Sequence, residues 1–77
     1  MTRDEFINKM NEYGIDSRNY SLGSASNGEC HYFIYENKKY VVYYIERNHP
    51  DKLAEFSAEE DAYDFMCKDI LEGFGKI

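Results

Sequence analysis

Residues Tyr40 to Ile45 read Tyr-Val-Val-Tyr-Tyr-Ile, six apolar or aromatic side chains in a row. β-branched and aromatic residues suit a pleated strand. Side chains alternate faces along a strand, so this one is apolar on both sides. A chain of 77 residues buries only about 60–65% of its unfolded surface and has little material with which to cover two faces. Either helices lie on both sides of the strand, or one side is left for a partner. The run is far shorter than the ~20 apolar residues that span a bilayer.

A second β-rich run, Cys30 to Glu36, precedes residues 39–46, with Asn37-Lys38 between them. Asn readily takes the positive φ of a tight hairpin turn. A two-residue turn sets Glu36 opposite Lys39. Cys30, Tyr32 and Ile34 then share a face with Val41, Tyr43 and Ile45, and His31, Phe33 and Tyr35 share the other with Tyr40, Val42 and Tyr44. A three-residue turn would mix these sets.

Helices flank the hairpin. Thr2 and Glu5 form a capping box, and Phe6, Ile7, Met10 and Tyr13 recur at helical spacing. The spacing predicts a helix over 3–13, ended by Gly14 in a left-handed cap with Ile15 folding back. A short strand is expected at 19–22 and a loop over Gly23–Gly28. Asn48 to Asp51 reads as a loop, because Pro50 cannot donate to a ladder; Leu53 and Phe56 fit a short edge strand with Lys52 and Glu55 outward. Ser57 and Glu60 form a second capping box, with Phe56 as its hydrophobic staple. Ala62, Tyr63, Phe65, Met66, Ile70 and Leu71 make the stripe of a helix that Gly73 ends, with Asp61, Asp64, Lys68 and Asp69 opposite. The expected fold is one two-layer α+β domain over 1–77, order α-β-β-β-(β)-α. Its antiparallel sheet has three or four strands, and a helix stands at each end of the chain.

The net charge is −6, and it is uneven: residues 51–77 carry eight acids and three bases, residues 1–50 seven acids and six bases. Nucleic acid and anionic membranes call for clustered Lys and Arg, so neither is an expected partner, whereas a basic protein is. Glu59, Glu60 and Asp61 also suit a helix N-terminus. Met1 to Glu5 lacks the basic-then-apolar layout of a secretory signal. The expected location is therefore cytoplasmic, where Cys30 and Cys67 act as reduced, buried small residues.

The sequence shows no catalytic constellation. Cys30 and His31 are neighbours on a strand and point to opposite faces. Cys30, His31, His49 and Cys67 show neither CxxC nor HxxxH spacing, so no metal site is expected. The Gly-rich stretch has no Lys-Ser/Thr after it to hold a phosphate, and no cofactor is indicated. The acids sit in helix first turns or on polar faces, where nothing separates one pKa from another. The expectation is a protein without catalytic activity.

The stretches "MTRDEFINKMNEYGI", "YVVYYIER" and "LAEFSAEEDAYDFMCKDIL" occur in an order that resembles small bacterial immunity proteins of polymorphic and contact-dependent toxin systems. The most specific part is an aromatic-aliphatic strand ending in Glu-Arg, then a loop, Leu-x-x-Phe and an acidic-capped helix. In that pattern a Trp often begins the strand and a Gly often follows the Glu-Arg; here Tyr40 and Asn48 stand there. The resemblance implies a protein that neutralises a cognate toxin, commonly a nuclease, by tight binding.

The contact surface expected from the residues is the face of His31, Phe33, Tyr35, Tyr40 and Tyr44 around Val42, with both helices on the face of Ile34, Val41 and Ile45. One helix on each face is the alternative arrangement. Tyr35, Tyr40 and Tyr44 would be the anchors. Glu46, Asp51, Glu55, Glu59, Glu60, Asp61 and Asp64 would steer a basic toxin domain toward them. The protein would then be a monomer or weak homodimer. The other functional reading is a self-associating structural or adaptor domain, using the same face or an edge strand.

Overall fold

The structure, a computed structural model, describes residues 1–26 and 28–77. The first helix, α1 (Arg3–Glu12), starts as its sequence dictates: Thr2 Oγ1 accepts from the Glu5 amide at 3.2 Å, and the Glu5 carboxylate accepts from the Thr2 amide at 2.7 Å. It ends at Glu12, one residue short of the expected end, with Tyr13 as its C-cap. Gly14 follows at φ +72°, and the Ile15 amide donates to the Met10 carbonyl at 2.8 Å. That bond is the six-to-one contact of a Schellman motif, and it turns Ile15 into the core.

A 3-10 turn at Ser17–Asn19, begun by an Asp16 carboxylate that accepts from the Arg18 amide at 2.9 Å, leads into β1 (Tyr20–Leu22). β1 pairs with β2 (His31–Glu36) in parallel, so the sheet is mixed rather than wholly antiparallel as expected. The eight residues between the strands can span about 26 Å, more than enough to return along a three-residue strand. The loop expected over Gly23–Gly28 includes Asn27, which lies outside the described residues; positions 23–26 and 28–30 carry neither helix nor strand.

β2 and β3 (Lys39–Glu46) form the expected hairpin, with Glu36 opposite Lys39 and both Asn37 and Lys38 at positive φ. Arg47 and Asn48 repeat that turn, so β4 (His49–Phe56) starts at once where a loop was expected. Pro50 is accommodated because β4 is an edge strand, whose outer side needs no donor. The ladder pairs Val42 with Ala54 and Tyr43 with Lys52, which leaves Leu53 as the extra residue of a bulge.

The second helix, α2 (Glu59–Gly73), lacks the expected Ser57–Glu60 capping box. Its N-cap is Ala58, which offers no side-chain acceptor, and Ser57 Oγ instead accepts from Lys39 Nζ at 2.9 Å. Ala58→Ser supplies the missing acceptor at a residue already extended, and is expected to add about 1 kcal/mol. The melting temperature should rise by roughly 4–8 °C; an unchanged calorimetric midpoint would show that the acidic first turn already satisfies the helix start. Gly73 is the last residue of α2, as expected, and Phe74 is its C-cap. The cap closes at Gly75, φ +70°, where the Lys76 amide donates to the Leu71 carbonyl at 2.8 Å.

The sheet order is β1-β2-β3-β4. α2 packs on β2, β3 and β4, and α1 lies beside α2, reaching β1 through an edge-on contact of Phe6 with Tyr20 at 5.0 Å. Both helices lie on one side of the sheet. Phe6, Met10, Tyr63, Met66, Ile70 and Leu71 meet Phe33 and Val42 there in a single core.

Candidate functional site

The helices cover the face that sequence reasoning had left for a partner. Phe33 and Val42 are core residues, and Tyr40 packs against the same cluster. Phe33 meets the Tyr63 ring edge-on at 5.2 Å. Tyr35, 60% exposed, projects past the helices and touches only the rim, with its ring 4.8 Å from that of Tyr40. Tyr44 is half-buried beside His31, ring centres 4.9 Å apart. A Tyr40→Ala, Tyr44→Ala double variant would therefore disturb packing as well as surface.

The physical reason lies in the neighbouring strands. On the helix side the hairpin continues into Tyr20 and Leu22 of β1 and Ala54 and Phe56 of β4, with Asp51 and His49 only at the far end beyond the helices' core; on the other side it continues into Ser21, Lys52, Glu55 and Pro50. Only the first set completes an apolar layer. A signal was present within the hairpin too, since Glu36 and Lys39 share the face of Ile34 and Val41.

That outer face buries itself. Tyr32 stacks on Tyr43 at 5.1 Å and 15°, the Tyr43 hydroxyl donates to Glu36 at 2.5 Å, and Val41 sits between Ile34 and Glu55. Cys30, Tyr32, Val41 and Ile45 are all buried without joining the helical core. The Ser21 hydroxyl, on this side, donates to the Ser24 carbonyl at 3.0 Å and ties down the turn after β1.

The seven acids expected to steer a partner are all exposed, but they fall into separate groups. Glu59, Glu60, Asp61 and Asp64 lie on the first turns of α2. Glu46 and Asp51 lie by the Arg47-Asn48 turn, and Glu55 further along β4. Some are engaged within the chain: Asp64 with the N-terminal ammonium at 2.6 Å, Glu55 with Lys52 at 2.8 Å, and Glu59 with the Tyr63 hydroxyl at 3.1 Å.

A feature that sequence reasoning missed is a cleft of about 630 Å³ between the bulge of β4 and the C-terminal end of α2. Leu53, Ile70, Phe74 and Tyr44 supply its apolar lining, and Glu29, Asp69 and Glu72 its charges. The bulge aims Leu53 inward, and the Schellman turn of α2 holds Phe74 at the mouth; both remain substantially exposed, at 39% and 51%. At the cleft wall His31 Nε2 lies 2.6 Å from Asp69 Oδ2. The carboxylate can only accept, so Nε2 carries the proton. This pair joins β2 to α2 across 38 positions, a separation no local pattern reveals.

The His31–Asp69 pair orients an imidazole, and among the described residues no hydroxyl or thiol hydrogen-bonds to that ring. The resolved carboxyl shifts all run downward. Thr2 backbone and hydroxyl hydrogen bonds lower Glu5, the Arg18 amide and guanidinium lower Asp16, and the Lys52 ammonium lowers Glu55. Each favours a permanent carboxylate rather than a proton donor. Cys30 and Cys67 are unpaired and buried, and burial pushes the Cys67 thiol up. Among the described residues no three His, Cys, Asp or Glu side chains converge as a metal site requires, and no helix is long and apolar enough to cross a membrane. No protein-family model, curated protein or solved structure matches the chain.

Proposed function

We propose that this chain is a non-catalytic binding protein that neutralises a basic protein in the cytoplasm, as an immunity protein neutralises its toxin. The observation that carries the reading is the state of its charges. Of nine Lys and Arg residues, only Arg18 and Lys52 form ion pairs among the described residues, each with an acid no more than three positions away. Glu46, Glu60, Asp61 and Glu72 are exposed and meet no Lys or Arg. Surface acids left in water contribute little to folding, but together they attract a cationic partner over about a Debye length.

Self-association through the free edge of β4 is the less supported reading. That edge carries Pro50, the bulge at Leu53 and the charges of Asp51, Lys52 and Glu55, all of which interrupt strand-to-strand pairing. The test is co-expression with any toxic domain that a neighbouring gene encodes, followed by association kinetics. Growth should be rescued, and Glu60→Lys with Asp61→Lys should slow association about 10–100-fold at low salt. Rates that ignore both the double reversal and ionic strength would overturn acidic steering.

A further inference from the structure

We propose that the cleft between the β4 bulge and the C-terminal end of α2 seats an arginine side chain of the partner; this rests on the reading of a basic partner. Its volume of about 630 Å³ lies within the ~300–1,000 Å³ of ligand-sized clefts. Two of the four large apolar side chains left exposed among the described residues, Leu53 and Phe74, line it. Their exposure costs the free protein hydrophobic stabilisation that an occupant would restore.

The lining also selects the occupant's charge. Glu29, Asp69 and Glu72 line the cleft, and none of the lining residues is Lys or Arg. His31 is the one basic group at the wall, and Asp69 holds its Nε2; the second Asp69 oxygen remains able to accept. An apolar anion would meet repulsion here, and a neutral aliphatic group would leave three carboxylates partly desolvated without partners.

Arginine satisfies both halves of the lining. Its methylene stem packs against Leu53 and Ile70. Its planar guanidinium can lie on the ring of Phe74 or Tyr44 while forking to carboxylates, which a compact ammonium does less well. The cleft thus supplies an anchor where sequence reasoning had placed tyrosines of the sheet face.

The test needs no partner protein. Nα-acetyl-arginine amide is titrated into the intact chain and followed by backbone amide shifts. Saturable shifts confined to Leu53, His31 and the segment from Asp69 to Phe74 are expected. Nα-acetyl-citrulline amide, uncharged but of similar shape, should bind about tenfold more weakly, as should arginine amide to the exposed-site variant Glu72→Gln. Absence of saturation, equal binding by the citrulline or lysine amide, or shifts spread along the outer face of α2 would each overturn the assignment. Toxin rescue undiminished in a Leu53→Ala, Glu72→Gln variant would overturn it too, while leaving the basic-partner reading intact.

Discussion

Replacing Phe33 by alanine is expected to remove about 3–5 kcal/mol of folding stability, whereas replacing Tyr35, two residues along the same strand face, should cost less than about 1 kcal/mol. Phe33 is closed in by Tyr63 and Val42 under α2, so truncation leaves a cavity that a close-packed core cannot collapse. Tyr35 loses a ring contact with Tyr40 at the rim and little else. At roughly 0.05–0.15 kcal/mol per residue, a domain of this size holds about 4–12 kcal/mol in all. Phe33→Ala therefore brings it close to the unfolding threshold, and urea denaturation should show a large fall in midpoint. Equal midpoints for the two variants would mean that the helices lie on the other face of the sheet.

The second large effect is alkaline. Burial first, and then the hydrogen bond its hydroxyl donates to Glu59, push Tyr63 up to about 12. The bond to Glu36, followed by burial, pushes Tyr43 up to about 12. Tyrosine in an unfolded chain titrates near ~10. A raised pKa means that the fold prefers the neutral phenol. The stabilisation is fully present below pH ~10 and is lost as the pH climbs from ~10 through about 12. For the deeply buried Tyr63 the loss amounts to roughly 2–3 kcal/mol; the half-buried Tyr43 is better screened and adds less. The Cys67 thiol, raised by burial, acts in the same sense. Tyr63→Phe keeps the ring in the core and removes the ionisation, so its alkaline unfolding midpoint, followed by circular dichroism alongside tyrosinate absorbance, should move upward. A variant that unfolds at the same pH as the parent would remove Tyr63 from the account.

What was legible in the sequence was local chemistry. Thr2 and Glu5 announce a helix start because each can satisfy the other's orphan amide, and Gly14 announces its end because a left-handed residue is needed there. Asn37 marks the first hairpin turn and thereby the register of two strands. Where local chemistry offers two outlets, neighbours in space choose between them. Pro50 can break a strand or sit on an edge, and the Arg47-Asn48 turn makes it an edge residue. Ser57 can cap a helix or meet a lysine, and Lys39 takes it.

The choice of face could not be made from the hairpin's apolar pattern, because β2 and β3 are apolar on both sides. It was made by what β1 and β4 bring to each side, and strands find their neighbours only in the folded chain. The cleft belongs to the same class. Leu53, Asp69 and Phe74 look like an edge residue, a solvated acid and a frayed end until a bulge, a His31 contact and a helix cap bring them together. Sequence alone determined the elements, one hairpin register and the acidic balance, all of which depend on residues within a few positions of one another. Tertiary structure decided which side of Tyr40 to Ile45 is core and where a partner's side chain could enter, because both depend on contacts between residues far apart in the chain.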